Sequence, residues 1–212
     1  MYMSQSSKDF DPNKMVACTL VFEDSANDVN HQEDLLYRIA AQHNGMQAGA
    51  ENGERGYLLT NNIAYIRDFG NEHYIMAESF ETSIPWSRVL ELCDRIKQRV
   101  KEEHALRKLP GNPFVTCRVT QVYDTGAAVY FYFAYFFKGV ENPSEVYAEI
   151  EKAARDEILL FGGALSHHHG VGKLRKEFLP RIMSGKSLEW QKKIKNAVDP
   201  DNIFDCGNLA IE

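Results

Sequence analysis

Two neighbouring strand-like runs constrain the fold of this chain more than any other feature. Residues 114–123 and 127–137 are rich in β-branched and aromatic side chains, and Asp124, Thr125 and Gly126 separate them. Three residues are too few for a crossover connection, so the two strands are expected to pair antiparallel as a β-hairpin. A sheet built on this hairpin differs from the parallel sheet of a regular βαβ repeat.

The second strand of the hairpin is predicted to bury one face and leave the other open, because side chains alternate along a strand. One face carries Val129, Phe131, Phe133 and Tyr135, and the other carries Tyr130, Tyr132 and Ala134. Aromatic residues at this spacing usually pack in a core, but a tyrosine at a pocket also exchanges a proton. Both interpretations stay open for the face that carries Tyr130.

The remaining sequence predicts further strands and a set of helices around the hairpin. Apolar residues three and four positions apart indicate helices, and apolar runs bounded by Asp, Asn or Gly indicate strands. We predict strands at 15–22 and 74–80 and helices at 31–43, 53–69, 85–100, 143–160, 173–183 and 188–198. The predicted fold is α+β: an antiparallel (ferredoxin-like) sheet covered by helices on one face, plus a short helical tail.

Proline marks the start of two of these helices. Pro85 is predicted at the first helical position of one, and Asn142 is predicted to cap the other, where Pro143 and Glu145 follow. The helix after Pro85 is predicted to bury Trp86, Val89, Leu90, Cys93, Ile96 and Val100.

Charge and cysteine usage narrow the function classes. The net charge of −6 argues against a general nucleic-acid binder. Residues 173–195 nevertheless carry eight basic and two acidic side chains, which favours either a solvated helix face or a local attraction for anions. The four cysteines are far apart in sequence and form no CxxC pair, which indicates reduced thiols rather than a disulfide framework.

The segment richest in chemical options is the triple histidine at His167, His168 and His169. If the segment is extended, the first and third side chains point one way and the second points the other. Imidazoles exchange protons near neutral pH, and Gly170 and Gly172 allow a ligand to approach the backbone. A helix beginning near Lys173 would also direct free N–H groups toward an anion.

Several interpretations of these residues remain open. The histidines suit an anion-binding or acid–base site, a metal site, or a surface without function. No metal ligand is assigned, because no acidic or thiol residue lies near them in sequence. Arg67 forms either an ion pair with Asp68 or an anion clamp, and Arg118 is equally ambiguous. The sequence contains no GxGxxG motif after a strand and no phosphate-binding loop.

Seven runs, in this order, resemble the alkyldihydroxyacetonephosphate synthase family of flavoproteins, within the vanillyl-alcohol-oxidase-like superfamily. They are FDPN at 10–13, ENGERGYLLT at 51–60, AYIRD at 64–68, ESFETS at 78–83, CRVTQ at 117–121, YFYFA at 130–134 and SHHHGVGKLRK at 166–176. More distantly, residues 162–176 are similar to the Gly-Glu-His-Gly-Ile-Gly segment of D-lactate-type flavin dehydrogenases. The resemblance covers residues 10–209, and the triple histidine is its most distinctive part.

The resemblance implies an enzyme that requires FAD and exchanges the acyl group of 1-acyl-dihydroxyacetone phosphate for a long-chain fatty alcohol. It further implies a homodimer in a peroxisome, compatible with peripheral membrane contact and without a nucleic-acid partner. The rivals are an FAD-linked 2-hydroxyacid dehydrogenase and a non-catalytic fragment that keeps only the fold.

By the same resemblance, Tyr130 matches the family's catalytic tyrosine and the three histidines match its site for substrate and proton handling. Arg67 matches an arginine near the flavin, and Arg118 and Lys173 are further candidates for binding an anion. We divide the chain into a ragged start at 1–14, a substrate (cap) domain at 15–165, and a histidine loop with a helical segment at 166–212. The family's FAD-binding domain precedes this region, and we expect it to be absent from this chain.

Overall fold

The computed structural model describes residue 11 and residues 15–209, so the predicted ragged start at 1–14 lies almost wholly outside it. The chain forms two compact units, residues 1–66 and residues 67–212. The division predicted from the sequence, at residues 14 and 165, separates segments by function rather than by compactness. It stays a prediction.

Two helices make up most of the first unit. Helix α1 spans Ala26–Gln42 and helix α2 begins at Ala50 and ends at Glu72. Both predicted helices are confirmed, with earlier starts. The strand predicted at 15–22 is wrong, because this segment has no regular structure and Val16 is 88% exposed. A strand needs a hydrogen-bonded neighbour, and within the described residues none of the three strands of the sheet pairs with this segment.

The second unit contains a three-stranded antiparallel sheet. Its strands are β1 at Ile75–Pro85, β2 at Phe114–Val122 and β3 at Gly126–Phe136, in the spatial order β1-β3-β2. The predicted antiparallel sheet and hairpin are confirmed. Strand β1 runs five residues further than predicted, because its second half continues to pair with β3 as far as Pro85, opposite Gly126.

Helices α3 (Val89–Leu106) and α4 (Pro143–Leu160) pack against one face of this sheet. Phe131 and Phe133 of β3 face these helices, which confirms the predicted alternation along the strand. The core between sheet and helices includes Phe80, Ile84, Leu92, Ile96, Val100, Val129, Phe131, Phe133, Tyr135, Ile150 and Ile158. The opposite face of the sheet is therefore available for a site.

Two of the core positions predicted on α3 are wrong. Trp86 is 46% exposed and lies in a short 3-10 turn that precedes the helix, and Leu90 is 81% exposed. Each residue of a helix is rotated by about 100° from the last, so Leu90 points away from the stripe that holds Val89, Leu92 and Ile96. The indole N–H of Trp86 instead donates a hydrogen bond to the backbone oxygen of Tyr123, 2.8 Å away.

Helix α4 begins and ends where the sequence predicts, but no side-chain hydrogen bond caps its first turn. Asn142 is the N-cap residue, as predicted, but its backbone is left-handed (φ 48°) and its side chain makes no capping hydrogen bond. Its carbonyl oxygen accepts the first helical N–H groups instead. At the other end, Gly162 has a φ of +84°, and a Cβ on Gly163 would lie 2.8 Å from Ile158 Cγ2. Glycine therefore allows the chain to turn closely under α4.

The tail contains less helix than predicted. In place of a helix at 173–183, a turn leads into a 3-10 turn at Lys176–Phe178 and a single helical turn, α5, at Leu179–Ile182. Gly172 has a left-handed backbone (φ +52°), and it begins a turn through residue 174 rather than a helix. The predicted helix N-terminus beside the histidines is therefore absent from the described residues.

Helix α6 spans Gly185–Val198, and the hydroxyl oxygen of Ser184 caps it by accepting the N–H of Ser187. The prediction of a helix at 188–198 is confirmed. None of the helices that the structure describes is long and apolar enough to cross a membrane.

A pair of leucines in α3 tests this packing. Leu92 is fully buried and Leu90 is 81% exposed, so truncation to alanine has different consequences. We expect Leu92→Ala to lower the free energy of unfolding by about 2–5 kcal/mol, because it leaves a cavity in the core. Leu90→Ala should change it by no more than about 0.5 kcal/mol. Denaturant unfolding measures both, and equal effects would contradict the assigned face of α3.

Candidate functional site

The candidate site begins as a row of three side chains across the open face of the sheet. Glu81 of β1 and Arg118 of β2 both pair with Tyr130 of the central strand β3. Directly paired residues point to the same side of a sheet. Since Phe80 and Phe131 face the helices, the row of Glu81, Tyr130 and Arg118 faces away from them.

Glu81 holds the histidine loop, residues 164–170, against this row. Its side chain is 0% exposed. Oε1 accepts hydrogen bonds from the Ser166 hydroxyl (2.6 Å) and the His169 N–H (3.0 Å), and Oε2 accepts the His167 N–H (2.6 Å). Burial by itself raises the pKa of Glu81, but these hydrogen bonds outweigh it and lower the pKa to about 2. The loop therefore forms around a buried carboxylate anion.

Two arginines hold the carbonyl groups of the same loop. Arg155 donates to the backbone oxygen of Leu165 (2.7 Å), and Arg175 donates to that of Gly170 (2.8 Å). Both arginines are less than a tenth exposed. The carboxylate of Glu151 lies 2.7 Å from a guanidinium nitrogen of Arg155 and 3.8 Å from one of Arg175. Buried ionic groups thus fix both the N–H and the C=O groups of the loop.

The three histidine side chains do not alternate as an extended segment would, so that expectation is wrong. Nε2 of His168 and Nε2 of His169 lie 2.5 and 2.8 Å from the same atom, the hydroxyl oxygen of Tyr130. His167 turns to Tyr123, whose hydroxyl oxygen lies 2.7 Å from its Nε2. The segment bends because one carboxylate collects N–H groups from both ends of the histidine run. Tyr130 and the histidines nevertheless come together as the resemblance implies.

The surroundings of Tyr130 favour neutral partners that exchange protons. Burial raises the pKa of the Tyr130 hydroxyl, as do the negative charge of Glu81 and the neighbouring Tyr132, and Arg118 lowers it in part. Burial also lowers the pKa of His169, against the opposing effect of Glu81. Near neutral pH the pair therefore consists of a phenol and an uncharged imidazole, which can act as donor and acceptor.

The remaining predicted site residues lie in different places. The Arg118 guanidinium lies 5.8 Å from the centre of the Tyr130 ring, within range of a cation–π contact. Arg67 pairs with Glu78 (2.7 Å) and with Asp68 (3.8 Å), which agrees with the ion-pair interpretation. Lys173 is exposed in the turn after Gly172, and it makes no hydrogen bond to the histidines in the described part of the chain.

Ligand atoms of Glu81, His167 and His168 all lie within 4.8 Å of one another, a spacing that could hold a metal ion. The sequence places no acidic residue near the histidines, but the fold brings Glu81 next to them. However, the Glu81 oxygens already accept hydrogen bonds from the loop, and the Nδ1 atoms of the two histidines lie 2.8 Å apart in a hydrogen bond. The donor set is engaged internally, and the absence of a metal ligand stays a prediction.

Sequence reasoning missed two residues of the site, Glu81 and Tyr123. An acidic residue inside a strand that also carries Phe80 is a signal that could have identified the first. Tyr123 follows β2 directly and precedes the hairpin turn, but nothing in the sequence shows which loop its hydroxyl faces. Both became visible only through pairing over long sequence distances.

A concave surface of about 350 Å³ borders the histidine loop. Its lining includes Ser166, His167, Gly170, Val171 and Ile182. A larger concavity of about 470 Å³ lies along α6, beside Trp190 and Ile194, where no histidine lines it. The smaller one adjoins the titratable groups and is therefore the better candidate for ligand entry.

The role of Glu81 can be tested by pH. Because its pKa is lowered, Glu81 stabilises the folded chain above about pH 4.5, and this contribution is lost as the pH falls toward about 2. We expect Glu81→Gln to remove that part of the pH dependence of the free energy of unfolding. Its amide would also face N–H donors, so hydrogen exchange at the His167 and His169 amides should accelerate while that of α3 stays slow. Unchanged exchange at both amides would contradict the assigned role.

Comparison with known proteins places this geometry in a family. A family model described as FAD linked oxidases, C-terminal domain, matches residues 1–209. An alkyldihydroxyacetonephosphate synthase of Caenorhabditis elegans is 46% identical over 209 residues, or 99% of this chain and 35% of that protein. The synthase of Trypanosoma brucei brucei is 25% identical over 202 residues, or 95% and 32%. The chain therefore spans about a third of the length of these curated relatives.

The fold also matches solved structures of alkyldihydroxyacetonephosphate synthase. One superposes with a TM-score of 0.56 at 21% sequence identity, over 84% of this chain and 29% of that chain. At this identity the match supports the α+β fold, and the sequence comparisons carry the family assignment. The chain belongs to the family of FAD-linked oxidase C-terminal domains, and its homologues include alkyldihydroxyacetonephosphate synthases.

Proposed function

We propose that this chain is the substrate-facing part of an FAD-dependent, ether-lipid-forming synthase. The enzyme exchanges the acyl group of 1-acyl-dihydroxyacetone phosphate for a long-chain fatty alcohol. One observation carries the proposal: in a chain 46% identical to a synthase of that name, His168 and His169 converge on the hydroxyl of Tyr130. This arrangement suits a reaction that moves a proton at a carbon beside a ketone.

The chemistry of the site supports this role. Exchange of an acyloxy group for an alkoxy group at C1 requires a proton to leave the substrate and another to return. Uncharged His169 is able to accept a proton from the substrate, and the Tyr130 hydroxyl, 2.8 Å from its Nε2, is able to take that proton over while it donates its own to His168. Both groups lie on the open face of the sheet, where a substrate could approach them.

The donor set also fits a flavin ring. Phenol, imidazole and guanidinium groups offer hydrogen bonds to the carbonyl and nitrogen atoms of such a ring, and Tyr130, His169 and Arg118 provide them here. When bound, FAD supplies the ring that activates the substrate carbon. By contrast, the sequence has no glycine-rich phosphate-binding loop.

A substrate phosphate needs a cation, and the described residues offer unequal candidates. Arg118 lies beside Tyr130, whereas Arg67 already pairs with Glu78 and Lys173 lies apart in an exposed turn. Arg118 is therefore the best placed of the three for an anion at this site. A homodimer, a peroxisomal location and peripheral membrane contact extend the same proposal to the whole protein.

The proposed activity is tested best in a chimera in which this chain replaces the matching third of the Caenorhabditis elegans relative. We expect FAD-dependent formation of alkyl-dihydroxyacetone phosphate from the acyl substrate and hexadecanol. Tyr130→Phe should lower turnover by roughly 100-fold or more, because only the proton-exchanging hydroxyl is lost. Tyr132→Phe, whose ring stacks on Tyr130, is the matched control and should retain activity.

Two outcomes would change the assignment. If the flavin-loaded chimera oxidised 2-hydroxyacids and made no ether product, the dehydrogenase would replace the synthase. If Tyr130→Phe and Tyr132→Phe were equally active, Tyr130 would return to a packing role.

The histidines make a second prediction in the same chimera. We expect His169→Ala, which removes the acceptor beside Tyr130, to lower turnover by roughly 100-fold or more. His167→Ala should have an effect of the same order if the whole cluster handles protons. Flavin absorbance and a thermal unfolding curve serve as controls for cofactor retention and folding. Wild-type turnover in both variants would remove the histidines from the mechanism.

A further inference from the structure

One continuous row of hydrogen bonds joins Tyr130 to the surface of the protein. The Tyr130 hydroxyl lies 2.5 Å from Nε2 of His168, and Nδ1 of His168 lies 2.8 Å from Nδ1 of His167. Nε2 of His167 then lies 2.7 Å from the hydroxyl of Tyr123. Each of the two imidazoles uses one nitrogen toward each neighbour, so every link of the row is made.

We propose that this row is a proton relay and that Tyr123 is the positioning residue at its outer end. The proposal deepens the proposed function and rests on it for the source of the proton. Tyr123 has no role in the family resemblance described above, and it acts through His167 rather than on the substrate.

The two ends of the row differ in their access to water. Tyr130 and His167 are half-buried, whereas His168 is exposed and Tyr123 at the outer end is 44% exposed. The backbone of Tyr123 is held at two points: its N–H donates to Gly126, and its carbonyl oxygen accepts the indole N–H of Trp86, each at 2.8 Å. The exposed phenol is thus kept opposite His167, with the two ring centres 5.6 Å apart.

The proton balance of the row is complete for uncharged side chains. In the starting state Tyr130 donates to His168, His168 donates from Nδ1 to His167, His167 donates from Nε2 to Tyr123, and Tyr123 donates to water. Each group then passes its proton outward, so Tyr123 releases one proton to water and Tyr130 receives one from Nε2 of His169. Both imidazoles end as the other tautomer, and no net charge remains on the row.

His169 connects this row to the reacting side of the site. Its Nε2 also contacts the Tyr130 hydroxyl, and its Nδ1 lies 3.8 Å from the buried Glu81 carboxylate. The groups that face Tyr130 are Glu81 from β1, Arg118 from β2, Tyr132 from β3, and His168 and His169 from the loop. A proton taken up by His169 thus reaches the row through Tyr130, and the row ends at the exposed hydroxyl of Tyr123.

The relay itself can be tested without FAD or substrate, on the 212-residue chain with ¹⁵N-labelled histidines. Long-range ¹H–¹⁵N spectra report which ring nitrogen carries the proton. Tyr123→Phe removes one hydroxyl at the surface, and we expect the nitrogen shifts of His168 to change along with those of His167. Tyr132→Phe removes a hydroxyl from the same sheet face and should leave both unchanged.

A change confined to His167, or no change in a folded variant, would overturn the continuous row. If Tyr123→Phe does not fold, His167→Gln cuts the row one link further in and must alter the His168 nitrogens. Cobalt(II) provides a further check, because the same nitrogens could instead bind a metal. A tetrahedral cobalt spectrum at one equivalent, with loss of the histidine–histidine coupling, would replace the relay by a metal site.

Activity gives the second readout, in the chimera described above. Tyr123→Phe should lower kcat by roughly 10-fold with little change in KM, because proton release slows while substrate binding persists. Added imidazole buffer should restore most of the lost kcat, since a small carrier can replace the missing hydroxyl. An unchanged kcat, or a loss that buffer does not restore, would contradict the relay. If the unmodified chimera is inactive, the proposed function fails, and the nitrogen shifts still decide the relay.

Discussion

A single buried carboxylate determines where the histidines lie. Glu81 is inaccessible to solvent, and a buried charge is costly unless hydrogen bonds compensate for it. The compensation comes from the hydroxyl of Ser166 and from the backbone N–H groups of His167 and His169. Because these donors lie within the four residues 166–169, satisfying the carboxylate also bends the loop. The convergence of imidazoles on Tyr130 therefore depends on hydrogen bonds that the loop backbone and the Ser166 hydroxyl make, rather than the imidazoles.

The sheet topology explains how the loop reaches that carboxylate. After α4 the chain returns to β1, and the Ala164 N–H donates to the Ser83 oxygen at 2.9 Å. The hydroxyl of Thr82 donates to the Ala164 oxygen at 2.6 Å. Beyond Ala164 the chain does not pair with β1 as a strand. The N–H groups of His167 and His169 donate to the Glu81 side chain instead, and this places the loop over the open face of the sheet. The loop thus takes over an edge of β1 that another strand would otherwise extend.

The local elements of this fold were predictable, because their signals lie within short stretches of sequence. The short turn after Tyr123 specified an antiparallel hairpin, and the alternation along β3 specified which side of Tyr130 is open. The contacts of Glu81 with the loop were not predictable, since they depend on the register between β1 and β3 and on a chain return more than 80 residues later. Likewise, Cys93 and Cys117 are distant in sequence, yet Cys93 lies in the hydrophobic core and Cys117 packs against it.

The basic segment at 173–195 shows why composition alone misdirects a functional argument. Much of its positive charge is used inside the fold. The Arg175 guanidinium binds the Gly170 carbonyl. Arg181 pairs with Asp156, and Lys195 pairs with Asp199.

These contacts hold the tail in place, so the local excess of charge is largely structural. Lys193 pairs with Glu189 on the exposed face of α6, as expected of a solvated helix. Attraction for a substrate anion at the site must then come from a cation that already faces Tyr130. Among the described residues Arg118 meets that requirement, although its sequence context favours it no more than that of Lys173. The paired neighbours of a charge, rather than the local sum of charges, determine whether it can bind a ligand.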